Sequence, residues 1–347
     1  MNGHEYLGDD GQAVLLLCSA FALPDDAAET GLAPFKLSEW NQLARKIHES
    51  ALQQPAALHG RNADDLAKEL AITSEEAGRI VRLLARAGRL SRELENLSAR
   101  GLWAVTRVDD LYPPRLRDVL KNQAPTVLFG AGDIQLLRRA GVAVVGSRNI
   151  DEAGAAFARE IGRKCVAAQL PVVSGGARGT DRLAMQAALE AEGKAFGALA
   201  DSLENTARLS DVRQFLLDGR LVLLTPYAPT AGFSVGAAMG RNKLIYGLAE
   251  FAVVVSSDFE TGGTWAGAVE ALKSGWCPVF VREGAGVPKG NQELVKLGAA
   301  ALPAGEMATI DDLAQWMRQR TSHLAAEPEL FDFVMREGPS QRTGGQG

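Results

Sequence analysis

VAVVGSRNIDEAGAAFAREIGRKCVAAQLPVVSGGARGTDRLAMQAALEAEG, at residues 142–193, is the stretch that decides the fold. Two short apolar runs, 142–145 and 171–173, each lead into a glycine-rich turn, and each turn precedes a helical pattern. In the first helix, Phe157, Ile161 and Cys165 share one face because they are spaced by four residues. A strand-helix-strand-helix order predicts parallel strands, with both turns at the same edge of the sheet.

Both glycine turns have the composition of a phosphate site. Helix N-termini attract anions through backbone N–H groups, and an arginine in each turn can add bidentate phosphate contacts. The alternative is that the glycines only let the chain turn tightly. The first strand is not followed by G-x-G-x-x-G, and no G-x-x-x-x-G-K-[ST] occurs, which disfavours an ordinary dinucleotide fold or P-loop enzyme. The predicted phosphate-binding residues here are Gly146, Ser147, Arg148, Ser174, Gly175, Gly176, Arg178 and Gly179.

Two later segments extend the predicted site. Residues 226–239, PYAPTAGFSVGAAM, are expected to form a long loop that delivers Arg241, Asn242 and Lys243 to the start of a helix at 244–248. Arg241 and Lys243 would bind a phosphate, Asn242 would cap the helix or bond to a base or phosphate, and Phe233 would contact a base. The alternative for the two cations is simple solvation. A third turn, with Gly262, Gly263 and Thr264, follows the apolar run at 251–256.

These motifs, in this order, resemble the DprA/Smf (DNA-processing protein A) family. The similarity rests on GSR after a strand, SGGARGTD about thirty residues later, GRNKLIYGLAE at 240–250, and a lead-in at 101–133; together they span about residues 101–302. The resemblance implies an extended Rossmann-like domain that binds single-stranded DNA as a homodimer. It also implies transfer of that DNA to the RecA recombinase in natural transformation.

The predicted fold class is α/β, an extended Rossmann-like parallel sheet with helices on both faces, preceded by a small all-helical N-terminal domain. The expected domains are 1–100 (helical, helix-turn-helix-like), 101–320 (Rossmann-like) and 321–347 (a polar, disordered tail). In the helical part, a second helix at 74–87 would carry a basic stripe able to meet phosphates; the alternative is a solvated face on a helical bundle. The stripe consists of Arg79, Arg82, Arg86 and Arg89.

Composition limits the other possibilities. A net charge of −5 gives no global positive field, so any DNA contact needs a local basic patch. Three isolated cysteines, without C-x-x-C or a histidine at metal spacing, suggest no zinc site and no disulfide framework. No signal pattern and no long apolar run are found, so we expect a cytoplasmic protein with no membrane contact.

Catalysis needs a proton acceptor beside a reacting group, and none is evident in the Rossmann-like region. The family's usual Ala-His pair is Ala184-Met185 here, and a thioether cannot carry a proton. We therefore expect a binding protein, not an enzyme, without a cofactor or metal.

Three functional hypotheses remain open from the sequence. The leading one is a single-stranded DNA-binding protein of DNA processing and recombination, with RecA or a genomically neighbouring protein as partner. The second is a DprA-like component of anti-phage defence or toxin control that senses DNA or a nucleotide. The third is a nucleotide-processing enzyme, because the third turn also resembles the Gly-Gly-x-Gly-Thr turn of lysine-decarboxylase-like phosphoribohydrolases, although Glu270 follows at a longer spacing.

Overall fold

The computed structural model describes the backbone of residues 6–326 and the side chains of residues 6–321. Apart from residues 321–326, the predicted tail lies outside the described residues. Those six residues are helical. None of the helices within the described residues is both long and apolar enough to cross a bilayer.

Nine strands and fourteen α-helices occupy the described part of the chain. The strands are β1 (Leu102–Thr106), β2 (Val127–Ala131), β3 (Gly141–Gly146), β4 (Val172–Ser174), β5 (Ala195–Ala198), β6 (Leu221–Thr225), β7 (Ala249–Ser256), β8 (Val279–Glu283) and β9 (Ala300–Pro303). The helices are α1 (Asp9–Cys18), α2 (Leu37–Glu49), α3 (Ala63–Glu69), α4 (Ser74–Leu84), α5 (Ala87–Ala99), α6 (Pro114–Leu120), α7 (Glu152–Ala167), α8 (Thr180–Glu190), α9 (Leu203–Arg208), α10 (Ser210–Leu217), α11 (Val235–Gly247), α12 (Gly262–Ser274), α13 (Lys289–Lys296) and α14 (Leu313–Ala326).

The chain divides into two compact units, and each is built from two separate stretches. The first takes in the described residues up to Arg139 together with Phe196–Leu248. The second takes in Ala140–Ala195 together with the described residues from Ala249 onward. The five N-terminal helices thus share a unit with β1, β2 and β6, and the expected domain boundary at residue 100 stays a prediction.

In the first unit, α1 to α5 form the predicted helical region. Asn62 and Thr73 are the N-caps of α3 and α4, and their side chains accept hydrogen bonds from the backbone N–H groups of Asp65 and Glu76. The strand order is β1-β2-β6-β5, and the β1-β2 and β2-β6 pairs are antiparallel. The sequence analysis did not identify these antiparallel pairs.

The second unit has the predicted Rossmann-like arrangement. Its strand order is β4-β3-β7-β8-β9, and β3 pairs in parallel with β4 and with β7. The β7-β8 and β8-β9 pairs are also parallel. Nearly all residues of β3, β4, β7 and β8 are buried, as expected for strands that are covered on both faces. The α/β class and the β3-α7-β4-α8 order are therefore confirmed.

Candidate functional site

Three glycine turns follow the carboxyl ends of β3, β4 and β7 in the second unit. Because these strands run parallel as neighbours, their carboxyl ends lie at one edge of the sheet. The first two turns contain the predicted residues Gly146 to Arg148 and Ser174 to Gly179, and the third leads into Gly262 to Thr264, which form the first turn of α12. The structure therefore brings these three groups of predicted residues to one edge.

The first two turns interlock. A Cβ atom on Gly146 would lie 2.4 Å from Thr180 Oγ1, and one on Gly179 would lie 2.5 Å from the carbonyl oxygen of Ser147. Gly179 also has a φ of +84°, which favours glycine. The backbone N–H and the hydroxyl of Thr180 both donate to the carbonyl of Ser147, at 3.3 and 3.2 Å. Glycine is thus required at both positions, because the Thr180 side chain lies close to Gly146 and the Ser147 carbonyl lies close to Gly179.

Asp181 and Ser174 hold the second turn in place. The Asp181 carboxylate is 8% exposed and accepts a hydrogen bond from the backbone N–H of Gly175 at 3.1 Å. The buried Ser174 hydroxyl donates to the carbonyl of Val144 at 2.6 Å. The Asp181 carboxylate, which lies in the first turn of α8, therefore stabilises the second glycine turn.

The arginines of the two turns face solvent. Arg148 and Arg178 are exposed, as is Gly176 between Ser174 and Arg178. Gly179, the N-cap of α8, has no side chain to accept from the first N–H groups of the helix. Thr261, the N-cap of α12, makes no side-chain cap either. Two exposed arginines thus belong to turns that lead into helix N-termini, which carry partial positive charge.

Asn291 organises the end of β7, and the sequence analysis did not identify it. Its side-chain oxygen accepts from the N–H of Ser257 at 2.8 Å, and its amide group donates to the carbonyls of Val255 and Arg282 at 3.1 and 2.9 Å. The preceding Gly290 allows the approach, since a Cβ there would lie 2.2 Å from the Ser257 carbonyl oxygen. The Gly-Asn pair at the start of a helix is the sequence feature that could have indicated this role of Asn291.

Arg282 is a second residue that the sequence analysis missed. It lies in β8, it is 3% exposed, and its guanidinium is 3.7 Å from the carboxylate of Asp151. Asp151 is the N-cap of α7 and accepts from the N–H of Gly154 at 2.8 Å. The N-cap residue of α7 thus supplies a carboxylate, in contrast to Gly179 and Thr261, the N-cap residues of α8 and α12.

The remaining predicted residues, Phe233 and Arg241 to Lys243, belong to the first unit. Residues 235–239 are helical, not a loop, because α11 begins after Ser234, whose side chain accepts from the N–H of Ala237 at 3.0 Å. The expected helix start at residue 244 was therefore wrong. Phe233 is 55% exposed, as a base contact would require. Asn242 and Lys243 are half-buried within the helix.

Arg241 differs most from its expected position. It lies in the middle of α11, is 7% exposed, and donates to the carbonyl of Ala198. Its placement as an exposed cation at a helix start was wrong, because the helix begins nine residues before the expected start at residue 244. The guanidinium packs inside the first unit.

Side chains that could ligate a metal ion do not cluster in the described part of the chain. Within residues 6–326, no group of three histidine, cysteine, aspartate or glutamate side chains could hold a metal ion. Met185, at the position where the family usually has histidine, is buried in α8. Burial raises the pKa of Cys165 to about 12, which disfavours its thiolate.

A Rossmann-like α/β protein with an anion-attracting edge is the class that these features define. Residues 103–315 match the sequence profile described as DNA recombination-mediator protein A, and this chain belongs to that family. The resemblance to the DprA/Smf family is thereby confirmed.

Individual relatives agree with the family match. DNA processing protein DprA of Streptococcus pneumoniae is 29% identical over 205 residues, which cover 57% of this chain and 70% of that protein. Protein Smf of Escherichia coli is 29% identical over 158 residues, 44% of this chain and 41% of its own length.

Two solved structures share the fold. DprA from Streptococcus pneumoniae has a TM-score of 0.59 at 23% identity, covering 79% of this chain and 97% of that one. DprA from Helicobacter pylori, whose structure concerns its unique single-stranded DNA binding mode, has a TM-score of 0.50 at 21% identity, covering 62% and 95%.

Proposed function

We propose that this protein binds single-stranded DNA and acts in DNA processing and recombination, with the phosphates held at the turn edge of the second unit. One observation carries the proposal: the interlocked turns of this family present Arg148 and Arg178 to solvent at one edge of a parallel sheet. Membership of a recombination-mediator family and the DNA binding of the Helicobacter pylori relative support it.

Charge favours a local mode of binding. The whole chain carries −5, so attraction to DNA must come from a few cations and from helix N-termini. The N-terminus of α8, which Gly179 leaves without a side-chain cap, carries partial positive charge that adds to this attraction. Phe233, Asn242 and Lys243 stay predicted DNA contacts. Arg241 is left out, since its guanidinium is buried.

Titration of labelled oligo-dT at several salt concentrations tests the proposal. Wild-type affinity should fall as salt rises, and the Arg148→Ala, Arg178→Ala double variant should bind more weakly. For single strands, each lost phosphate contact should reduce the slope of log K against log salt by about 0.7.

Arg163→Ala is the matched control. This exposed arginine lies in the second half of α7, away from the turns, and pairs with Glu160 at 3.0 Å. Its loss removes one unit of positive charge, as each substitution of the double variant does, and should leave the slope unchanged. Equal binding by wild type and the double variant would contradict the proposed site, and no binding by wild type would contradict the function.

Partners and location follow from the same proposal. We infer that the protein is a cytoplasmic homodimer that passes single-stranded DNA to RecA; the free cysteines Cys18, Cys165 and Cys277 support a reducing compartment. Light scattering measures the oligomeric state. The rate of RecA filament assembly on single-stranded DNA, with and without this protein, measures the transfer.

We also propose a binding role and not a catalytic one. Met185 in place of the family's usual histidine supports it, because it removes an imidazole from α8. Incubation with nucleoside monophosphates is the test, and release of ribose phosphate would overturn the proposal in favour of the phosphoribohydrolase alternative. The defence alternative stays a prediction that genomic neighbours would address.

A further inference from the structure

An aromatic pair flanks the third glycine turn. Phe259 lies in the loop after β7, and Trp265 lies near the start of α12. Their ring centroids are 5.1 Å apart with an interplanar angle of 77°. The ammonium group of Lys289, at the start of α13, lies 4.4 Å from the centroid of the Phe259 ring. All three residues belong to the second unit.

These rings are less buried than the aromatic rings of the core. Phe251 and Phe280 in the neighbouring strands are 3% and 0% exposed, whereas Phe259 and Trp265 are half-buried. The two half-buried rings hold each other in an edge-to-face arrangement, so the part of the pair that solvent reaches is a π surface of fixed orientation.

The charges around the pair indicate which part of a nucleotide it would contact. Asp258 and Glu260 are exposed on the same loop as Phe259, and they offset the positive charge of Lys289. Two carboxylates disfavour a phosphate here, but an uncharged nucleobase has a flat π face that stacks on any aromatic ring. Because Lys289 already covers the Phe259 ring, Trp265 is the ring that can receive a base.

We propose that Trp265, supported at its edge by Phe259, is a stacking platform for an unpaired base of single-stranded DNA. The inference rests on the proposed function, and it adds a base contact to the phosphate contacts of the glycine turns. A base in a duplex is paired and stacked, so this platform selects single strands. Base stacking on one aromatic ring corresponds to about 5- to 100-fold in affinity.

Paired titrations with oligo-dT and an abasic oligomer of equal length and charge test the platform in the full chain. Wild type should bind oligo-dT more tightly than the abasic strand. Trp265→Leu keeps an apolar side chain but lacks the π face, and should weaken oligo-dT binding about 5- to 100-fold without changing abasic binding or the salt slope. Trp265→Phe should retain most of the preference.

Trp316→Leu is the matched control, because Trp316 lies in α14 and contacts Phe280. A fluorescence readout guards against misfolding: oligo-dT should quench wild-type tryptophan emission more than the abasic strand does, and Trp265→Phe should lose that difference. Equal binding of oligo-dT and the abasic strand by wild type would overturn the platform while leaving the proposed function intact. Failure to bind either strand would instead overturn the proposed function.

Discussion

Single glycines at the turn edge are fixed by the atoms that surround the missing side chain. Gly146 faces Thr180, and Gly179 faces the carbonyls of Ser147 and Arg148. These contacts would require glycine in any protein that packs the two turns together, whether or not it binds DNA. The glycines therefore explain the shape of the edge, and the two exposed arginines are what suit that edge to a polyanion.

Gly179→Ala should destabilise the second unit by about 1–3 kcal/mol, because the new Cβ would have to adopt a φ of +84° against two carbonyl oxygens. Urea unfolding measures the loss. Gly305→Ala is the control, since that glycine has open space around it and no positive φ. Equal stability of the two variants would show that the turns can separate, contrary to the interlock described above.

Cys165 should make stability depend on pH on the alkaline side. Burial raises the pKa of its thiol to about 12 in the folded protein, above its ordinary value. The folded state therefore keeps a proton that the unfolded state loses, and stability falls as pH rises through the unfolded pKa. At about pH 10 this loss should reach about 1–2 kcal/mol.

Comparison of wild type with Cys165→Ala isolates this contribution. The variant has no thiol to titrate, so the difference in unfolding free energy between the two proteins should shrink as pH rises from neutral to alkaline. A difference that is constant with pH would mean that the thiol ionises as easily in the folded state as in the unfolded one.

At the scale of elements, the N-terminal helices show why a charge pattern alone misleads. The predicted stripe of exposed arginines is wrong for two of its four residues, Arg79 and Arg86. Arg79 stacks on Phe35 at 4.0 Å and donates to the carbonyls of Ala33 and Pro34 as well as to Glu39. A sequence shows that an arginine lies on a helix face, but not that carbonyl groups from another segment meet it there.

Arg86 is the clearer case, since it is 8% exposed and donates to the carbonyls of Leu83, Leu16 and Phe21. Burial lowers its pKa to about 10. Arg86→Ala should destabilise the protein by about 2–4 kcal/mol, because it leaves buried carbonyls without a donor. Arg82→Ala, at an exposed position of α4, should be nearly neutral in thermal unfolding. If Arg86→Ala weakened the salt dependence of DNA binding without changing stability, the result would support the predicted phosphate-binding stripe.

The turn edge was predictable because strand, glycine turn and helix follow one another locally in the sequence. The residues that brace the edge were not, since Asn291 joins the ends of β7 and β8 from a helix further along the chain. The start of α11 was misplaced for another reason. Residues 226–239 are rich in small and turn-forming types, yet Ser234 caps a helix within them, which carries Arg241 into the interior.

At the scale of the whole molecule, each compact unit combines stretches that are far apart in sequence. In the first unit, the N-terminal helices are tied to the lead-in of the Rossmann-like region. Phe21 packs against Phe129 with ring centroids 5.3 Å apart, and the N–H of Gly8 donates to the Asp109 carboxylate at 3.1 Å. The side chain of Arg107 donates to Asn41 at 2.6 Å. Composition along the chain gives no sign of these contacts.

These ties predict how fragments behave. A fragment of residues 101–320, the predicted Rossmann-like domain, would lose every contact that α1 to α5 make with β1, β2 and the loop between them. Phe129 is 1% exposed in the intact unit and would lose Phe21, and the buried Asp109 carboxylate would lose the Gly8 N–H. We expect this fragment to bind a hydrophobic dye and to unfold at a lower temperature than the full chain, since newly exposed apolar surface destabilises a fold. Cooperative unfolding of the 101–320 fragment at the full chain's temperature, without dye binding, would instead establish residue 100 as a true domain boundary.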